Sequence, residues 1–136
     1  VVGKRAEPLA RAAATVTVLD REAIEAANAA DLRGLLRHMP AVTVGADPHR
    51  FGNGGPSLRG LGGNRVLLET DGVPAPSFYK VGSVSNTGRR FAEAELIERI
   101  EILHGAASSL YGSDALGGVI ATTTLDPRGL LGGSAD

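Results

Sequence analysis

The sequence ELIERIEILHG occupies residues 95–105 and is followed by ASSLYGSDALGGVI at residues 107–120. In the first segment, residues 99–103 alternate between charged and apolar side chains, which is the period of a strand with one buried face. The second segment begins as a helical turn that ends at Gly112, and the β-branched residues 118–124 predict a further strand. This part of the chain therefore predicts two strands separated by a short helical turn.

Upstream, the sequence predicts two helices and two strands. Residues 15–19 alternate as a half-buried strand does, and Asp20 is the predicted N-cap of a short helix over residues 21–27. A second helix ends at Pro40 and carries one apolar stripe with the spacing i, i+3, i+4 and i+7. The stripe consists of Leu32, Leu35, Leu36 and Met39. Residues 42–44 then predict a short strand.

The middle of the chain predicts one strand between two long loops. Gly, Pro, Asn, Asp and His dominate residues 45–57, which predicts a loop. Residues 65–70 are a compact apolar run and predict a strand that ends in a tight Asp71-Gly72 turn. Residues 73–90 show no period and predict a second long loop, whereas residues 93–98 predict a short helix.

The predicted fold class is α+β, with a small mixed β-sheet of about four strands, short helices and long loops. We expect the strands to come from the segments around Val42, Val66, Ile100 and Val119. The composition agrees, because glycine accounts for 19 of 136 residues and aromatic residues for only 4%. Few large rings make a small core, so we expect an enclosing partner to supply part of the stability.

Charge, cysteine content and hydropathy limit the classes of protein to which the chain can belong. Its length fits one domain, and its formal net charge of −1 gives no field that would attract nucleic acid. It has no cysteine for a disulfide scaffold or a Cys-type zinc site, and no apolar run of about 20 residues that would form a membrane helix. The chain opens at Val1 without a basic-then-apolar leader, which for an exported protein predicts a mature or excised fragment.

Motifs for catalysis are incomplete. Residues 60–63 begin like a dinucleotide-binding loop, but the third glycine of that fingerprint would fall at Arg65, and a strand follows instead of a helix. The chain contains neither Gly-Lys-Ser/Thr nor Gly-x-Ser-x-Gly. His38, His49 and His104 are too far apart for a helical metal pair. The sequence therefore predicts no enzyme, and a small nucleotide-binding enzyme is a disfavoured alternative.

Four segments, in order along the chain, resemble the plug domain of TonB-dependent outer-membrane receptors. Residues 35–42 are similar to the family's LL…PGV, and residues 58–74 are similar to its RG…NR, apolar strand and DGV. Residues 95–105 resemble its IERIEVLRG, and residues 107–120 resemble its S-LYG-ALGGVI. Together these segments span most of residues 15–124.

This resemblance implies a plug inside the lumen of a large β-barrel in the outer membrane of a Gram-negative bacterium. The implied partners are its own C-terminal β-barrel and TonB, which an N-terminal segment largely missing here would contact from the periplasmic side. We expect residues 1–14 to be an N-terminal lead that is the tail of a TonB box or follows just after it, residues 15–125 the plug domain, and residues 126–136 a linker towards the barrel. The chain departs from the family's usual residues at Ala41, His104 and Ala106.

The resemblance also implies which residues contact substrate and barrel. By position in three outward-facing loops, the implied substrate contacts are His49, Arg50, Gly62, Gly63, Asn64, Phe78 and Tyr79. The implied barrel contacts are Arg59, Arg65, Glu98 and Glu101, and the two arginines resemble plug arginines that pair with barrel acids. Ordinary surface arginines and a solvated charged junction are the alternative interpretations.

The implied substrate is haem or a haemoprotein, carried as cargo without an intrinsic cofactor. Residues 50–54, 88–91, 115–121 and 124–131 look like the haem-receptor branch of the family. That branch often places a plug histidine on the haem iron, and neutral imidazole is a good iron ligand, so His49 is the candidate metal ligand. A solvent-exposed loop histidine is the alternative.

Two other functions stay open. A ferric siderophore is the competing substrate, with Arg50, Phe78 and Tyr79 as its cationic and ring contacts. A periplasmic interaction module without transport is the alternative from a different class. For the remaining histidines we expect an exposed His38, off the apolar stripe, and a structural His104 at the end of a strand.

Overall fold

The computed structural model describes residues 15–29, 32–46, 53–77, 80–81, 84–85 and 94–128. Its strands in chain order are β1 (Thr15–Leu19), β2 (Val42–Ala46), β3 (Asn53–Leu58), β4 (Val66–Thr70), β5 (Val73–Pro74), β6 (Lys80–Val81), β7 (Val84–Ser85), β8 (Ile97–His104) and β9 (Gly118–Thr124). Its α-helices are α1 (Arg21–Ala26), α2 (Leu32–Leu36) and α3 (Ser108–Tyr111). Short 3-10 turns occupy Gly63–Arg65, Ala94–Leu96 and Ser113–Ala115. The predicted α+β class is confirmed.

A five-stranded mixed sheet forms the centre of the described residues, in the order β1-β8-β9-β4-β5. β4 and β9 are parallel, and the other neighbours are antiparallel. The mixed sheet agrees with the prediction, but the predicted place of the Val42 strand in it is wrong. That strand is β2, which pairs with β3 in a separate two-stranded sheet, whereas β1 and β5 form the edges of the large one.

All of β3 except its last residue, Leu58, lies in the segment 45–57, whose composition predicts a loop. It forms because Leu58 is fully buried and pairs with Val42 at one end of the β2–β3 hairpin. Pro56 is also buried in this strand, opposite Val44. A strand of a two-stranded sheet is an edge strand, which is where proline is tolerated because no backbone N–H is required on the open side. Tertiary burial therefore overrides the local loop composition.

α1 begins where the sequence predicts, because the side chain of Asp20 accepts a hydrogen bond of 3.0 Å from the N–H of Ala23. α2 ends at Leu36, short of the predicted stripe, and the chain continues in turns to Ala41, whose φ is 61°. The helix predicted over residues 93–98 is wrong, since only a 3-10 turn forms and β8 begins at the fully buried Ile97.

Arg21 explains the short 3-10 turn. Its Nη1 donates to the carbonyl oxygens of Ala94, Glu95 and Ile97 at 3.3, 3.1 and 2.9 Å. The guanidinium therefore satisfies carbonyl oxygens of this turn and links α1 to the start of β8. Its Nε also donates to Glu25 at 2.6 Å.

The sheet is covered unequally on its two faces. One face packs against α1, α2 and the β2–β3 hairpin, and its core includes Leu19, Ile24, Leu35, Leu36, Val42, Leu58, Val66, Leu68, Ile97, Ile100, Ile102 and Ile120. The other face packs a smaller cluster of Leu67, Ala107, Ala115 and Val119 beneath α3. Within the described ranges, no helix has both the length and the apolar character needed to cross a bilayer.

Candidate functional site

Arg59 is held on a two-residue turn at one end of the domain. Leu58 and Leu61 exchange backbone hydrogen bonds of 2.9 Å on either side of it. Arg59 and Gly60 have φ angles of 51° and 82°, the left-handed pair that a tight hairpin turn requires. The N–H of Arg59 also donates to the carbonyl oxygen of Ala41 at 3.0 Å. The backbone is therefore fixed, and the guanidinium is directed to an exposed position.

Arg65 lies close by, at the end of the 3-10 turn that also contains Gly63 and Asn64. The side chains of Asn64 and Arg65 are exposed. The carbonyl oxygen of Arg65 accepts a hydrogen bond of 2.6 Å from the N–H of Gly117. This bond ties the start of β4 to the loop before β9, so that Arg59 and Arg65 occupy the same end of the sheet.

Gly117 and Gly118 make this close approach possible. A Cβ atom at Gly117 would lie 2.9 Å from Leu61 Cβ and 3.1 Å from the carbonyl oxygen of Arg65. At Gly118, where φ is 141°, it would overlap the carbonyl oxygen of Leu103 and lie 2.5 Å from Leu58 Cδ1. The glycine pair in the segment ALGGVI is thus a packing requirement that brings the two arginine-bearing loops together.

His104 is buried at the same end, with 7% of its surface exposed. Its Nε2 lies 3.0 Å from the hydroxyl oxygen of Thr17 on β1. Its Nδ1 is buried without a hydrogen-bond partner in the described part of the chain. Burial, and secondly the positive charge of Arg59, lower the pKa of His104. The imidazole is therefore a neutral structural group at neutral pH.

A row of acidic residues crosses the opposite face of the sheet. Glu69 on β4 and Glu101 on β8 both pair with Ala121 on the intervening strand β9. Glu101 is 5% exposed and accepts hydrogen bonds from the guanidinium of Arg99, with its Nε at 2.9 Å. Burial, and secondly the charge of Glu101, raise the pKa of Glu69. Burial, Glu69 and Glu101, in that order, raise the pKa of Tyr111.

The predicted barrel contacts therefore separate into two groups. Arg59 and Arg65 come together at one end of the sheet, and Glu98 is exposed at the start of β8. Glu101, by contrast, is enclosed in the acidic row and paired with Arg99. The four predictions thus correspond to three exposed charges and one internal one.

The predicted substrate contacts are only partly described. His49, Arg50, Phe78 and Tyr79 lie outside the described residues. Residues 47–52 connect Ala46 to Asn53, which pair at one end of the β2–β3 hairpin, whereas Gly62 to Asn64 follow its other end at Leu58. β3 has six residues, so the two ends are separated by roughly 17 Å at about 3.3 Å per residue. The flanking residues Ala46 and Asn53 therefore lie at the end of the hairpin away from Gly62 to Asn64.

Sequence reasoning missed two organising residues, Arg21 and Asp71. Asp71 is predicted only as a turn residue, yet its carboxylate bonds to Thr124 at the end of β9. Arg21 is predicted only as part of a helix. Neither role has a local signal, because each side chain reaches a segment at least 53 residues away along the chain. Among the described residues, no group of three or more His, Cys, Asp or Glu is placed to hold a metal ion.

The chain matches the TonB-dependent receptor plug domain family over residues 8–119. It belongs to this family. The plug domain is 38% identical over 116 residues to a hemin receptor of Yersinia pestis, covering 85% of this chain and 16% of that protein. It is 34% identical over 118 residues to the vitamin B12 transporter BtuB of Vibrio vulnificus, covering 87% of this chain and 19% of that protein. It thus spans less than a fifth of the length of these relatives.

Solved structures confirm the plug fold. The siderophore receptor PirA from Acinetobacter baumannii superposes with a TM-score of 0.64 at 30% identity, over 82% of this chain and 17% of that one. The structure of the FpvAI–pyocin S2 complex gives a TM-score of 0.67 over 84% of this chain and 14% of that one. Its 24% identity supports the fold alone. The named relatives are receptors and transporters rather than enzymes.

Proposed function

We propose that this chain is the plug of a TonB-dependent transporter in the outer membrane of a Gram-negative bacterium, and that it gates the barrel during energised uptake of haem or haem iron. The observation that carries the proposal is the match over residues 8–119, combined with a span of less than a fifth of each relative. A lumen of about 22 strands is too wide for side chains to fill, so a folded domain must close it. The relatives do not favour a periplasmic module without transport.

Contact with the barrel is assigned to Arg59, Arg65 and Glu98, since all three are exposed. Glu101 is not included, because its carboxylate is already paired within the domain. Arginine forms two-pronged hydrogen bonds with carboxylates, so acidic residues on the lumen wall fit Arg59 and Arg65. Because the turn at Arg59 already fixes its backbone, less conformational entropy would be lost when the plug docks in the barrel and such a pair forms.

The test is made in the full-length receptor with Arg59→Gln and Arg65→Gln. We expect each variant to loosen the plug in the barrel, seen as faster trypsin cleavage of plug peptides and reduced uptake at unchanged receptor abundance. Arg37→Gln is the matched control, because Arg37 is also exposed but follows α2. Protease resistance and uptake equal to wild type in both variants would reject this assignment.

Cargo contact is assigned to the loops that contain His49, Arg50, Phe78 and Tyr79. Gly62 to Asn64 lie at the same end of the β2–β3 hairpin as Arg59 and Arg65. We propose that they contact the cargo only if the cargo is long enough to span that hairpin. His49 is the proposed iron ligand, and relatives named as hemin and haemoglobin receptors support haem as the cargo. TonB would engage the segment that includes residues 1–14, and residues 126–136 would lead to the barrel.

The cargo is tested by uptake of haem and of a ferric siderophore through the full receptor. His49→Ala should reduce haem uptake without changing receptor abundance, and the exposed His38→Ala is the control. Unchanged haem uptake in His49→Ala would reject the iron ligand. The likeness to a siderophore receptor at 30% identity supports the second candidate, a ferric siderophore. Siderophore uptake that occurs in the wild-type receptor and is abolished by Tyr79→Ala would favour the siderophore over haem as the cargo.

A further inference from the structure

The edge strand β1 is attached to the sheet by few side chains. Leu19, which is 6% exposed, is its only buried residue, and Val18 is 38% exposed. Among the described strands, β1 pairs with β8 alone, whereas β8 also pairs with β9. β1 can therefore leave while β8, β9 and β4 keep their mutual hydrogen bonds. The contact between Thr17 and His104 is a side-chain link across this separable boundary.

Only the neutral form of His104 can make the hydrogen bond to Thr17 in the buried site without a large cost in free energy. In the neutral tautomer with a proton on Nε2, the ring donates to Thr17 Oγ1, and only an acceptor at Nδ1 lacks a partner. Protonation would add a buried N–H donor that has no acceptor among the described residues, and a positive charge with little solvent around it. The cationic ring is therefore stable only where water can reach it, which requires β1 to move away.

Among the described residues, no charge near His104 would offset its protonation. β1 places Thr15 opposite it and Thr17 diagonally, and β9 places Gly118 opposite it, and none of these titrates. The charged group that acts on it is Arg59, from the turn after β3, and this charge has the same sign as the imidazolium. Glu101 and Glu69 lie on the other face of the sheet.

We propose that His104 is a pH-sensitive latch on β1: the neutral ring keeps the strand docked on β8, and protonation releases it. This goes beyond the proposed transport function and does not depend on the cargo. It would make the docking of the domain's first strand responsive to the acidity of the surrounding compartment. The fold itself supplies the two states, since undocking β1 leaves the remaining sheet paired.

The test is native-state hydrogen exchange of the full chain between pH 7.5 and pH 5, with protection factors corrected for intrinsic exchange rates. The amides of β1 should lose protection several-fold more than those of β9 as the pH falls below about 6.5, the ordinary histidine value. The largest possible loss of protection in β1 is tenfold for each unit by which the pKa of His104 differs between the docked and released states. Equal loss in β1 and β9, or no loss in β1, would overturn the latch.

Variants separate the latch from a merely structural histidine. His104→Gln keeps an amide donor and removes the titration, so its β1 protection should not depend on pH. Thr17→Val should lower β1 protection at every pH and keep the pH dependence, and the exposed His38→Gln should behave as wild type. A pH dependence that persists in His104→Gln would contradict the proposal. So would an NMR titration of the wild-type His104 ring that places its pKa at or above about 6.5, a measurement that does not require any variant to fold.

Discussion

The carboxylate of Asp71 accepts two hydrogen bonds from Thr124, one from its N–H at 2.9 Å and one from its hydroxyl at 2.7 Å. The N–H of Asp71 donates in turn to the carbonyl oxygen of Thr122 at 2.9 Å. These contacts close the β4–β5 turn onto the end of β9. Because both bonds from Thr124 favour the charged carboxylate, they lower the pKa of Asp71.

Asp71→Asn should therefore lower the free energy of unfolding at pH 7 by about 1 kcal/mol, a modest value because the site is exposed. A lowered folded-state pKa gives stability that is complete above the unfolded value of about 3.9 and is lost as the pH falls through the folded value. Urea denaturation should thus show the variant and wild type converging in acid. Glu98→Gln is the control, and a difference that stays constant with pH would contradict this account.

Glu69→Gln should have the opposite effect and stabilise the domain at pH 7. The pKa of Glu69 is raised, so its charged form is penalised in the folded state. Such a group favours folding below the unfolded value of about 4.3, and this advantage is lost as the pH rises through the folded value. The gain from the substitution should therefore be largest near neutral pH and shrink in acid. Denaturation curves from pH 4 to pH 8 measure it, and a destabilised variant at pH 7 would refute it.

Gly118→Ala should be far more damaging than Gly60→Ala. The new methyl group at Gly118 would meet a backbone carbonyl and Leu58, which cannot both move in a packed core, so we expect a loss of about 3 kcal/mol or more. At Gly60 an added Cβ atom would have no described atom within 4 Å apart from its chain neighbours, so only the left-handed backbone costs energy, about 1 kcal/mol. Thermal unfolding of both variants is the measurement. Equal losses would show that backbone conformation, rather than the close approach, requires Gly118.

Arg21→Met should detach α1 from the start of β8. It removes a charged donor to three carbonyl oxygens while keeping an aliphatic side chain, and we expect a loss of about 1–3 kcal/mol. Hydrogen exchange should report the change first at the amides of α1 and residues 94–97. Arg37→Met is the matched control on an exposed site. A variant with wild-type stability would mean that the packing of Ile24 alone positions α1.

The sequence predicts elements with strong local signals. The alternation in β1 and β8, the N-cap Asp20 and the Asp71-Gly72 turn were all sufficient to place their elements. β3 was not predicted, because its Gly and Pro residues signal a loop. Only the burial of Leu58 and its pairing with Val42 make a strand there. The grouping of the described strands into three sheets was not predicted for a related reason, since strand pairing depends on contacts that no local sequence pattern records.

The candidate site was predictable in its residues more than in its arrangement. The resemblance singled out Arg59 and Arg65, and the structure brings them to one end of the sheet. It also singled out Glu101 as a barrel contact. In the structure Glu101 is buried and paired with Arg99, an outcome that depends on how β8 packs in the sheet. The β2–β3 hairpin, absent from the prediction, places Ala46 and Asn53 at the end opposite to the one that leads to Gly62 to Asn64.

The pairing of β1 with β8 also governs when the domain can assemble during synthesis. Thr17 and His104 are 87 residues apart, and at about 5–20 residues per second the ribosome needs several seconds to supply the partner of the first strand. β4 also lacks its parallel partner at first, because β9 follows it by about 50 residues. Until residues 97–124 emerge, both strands expose unpaired edges that other chains could join. A nascent plug of this topology therefore carries exposed strand edges throughout most of its synthesis, and the sheet can close only after its last strand has been made.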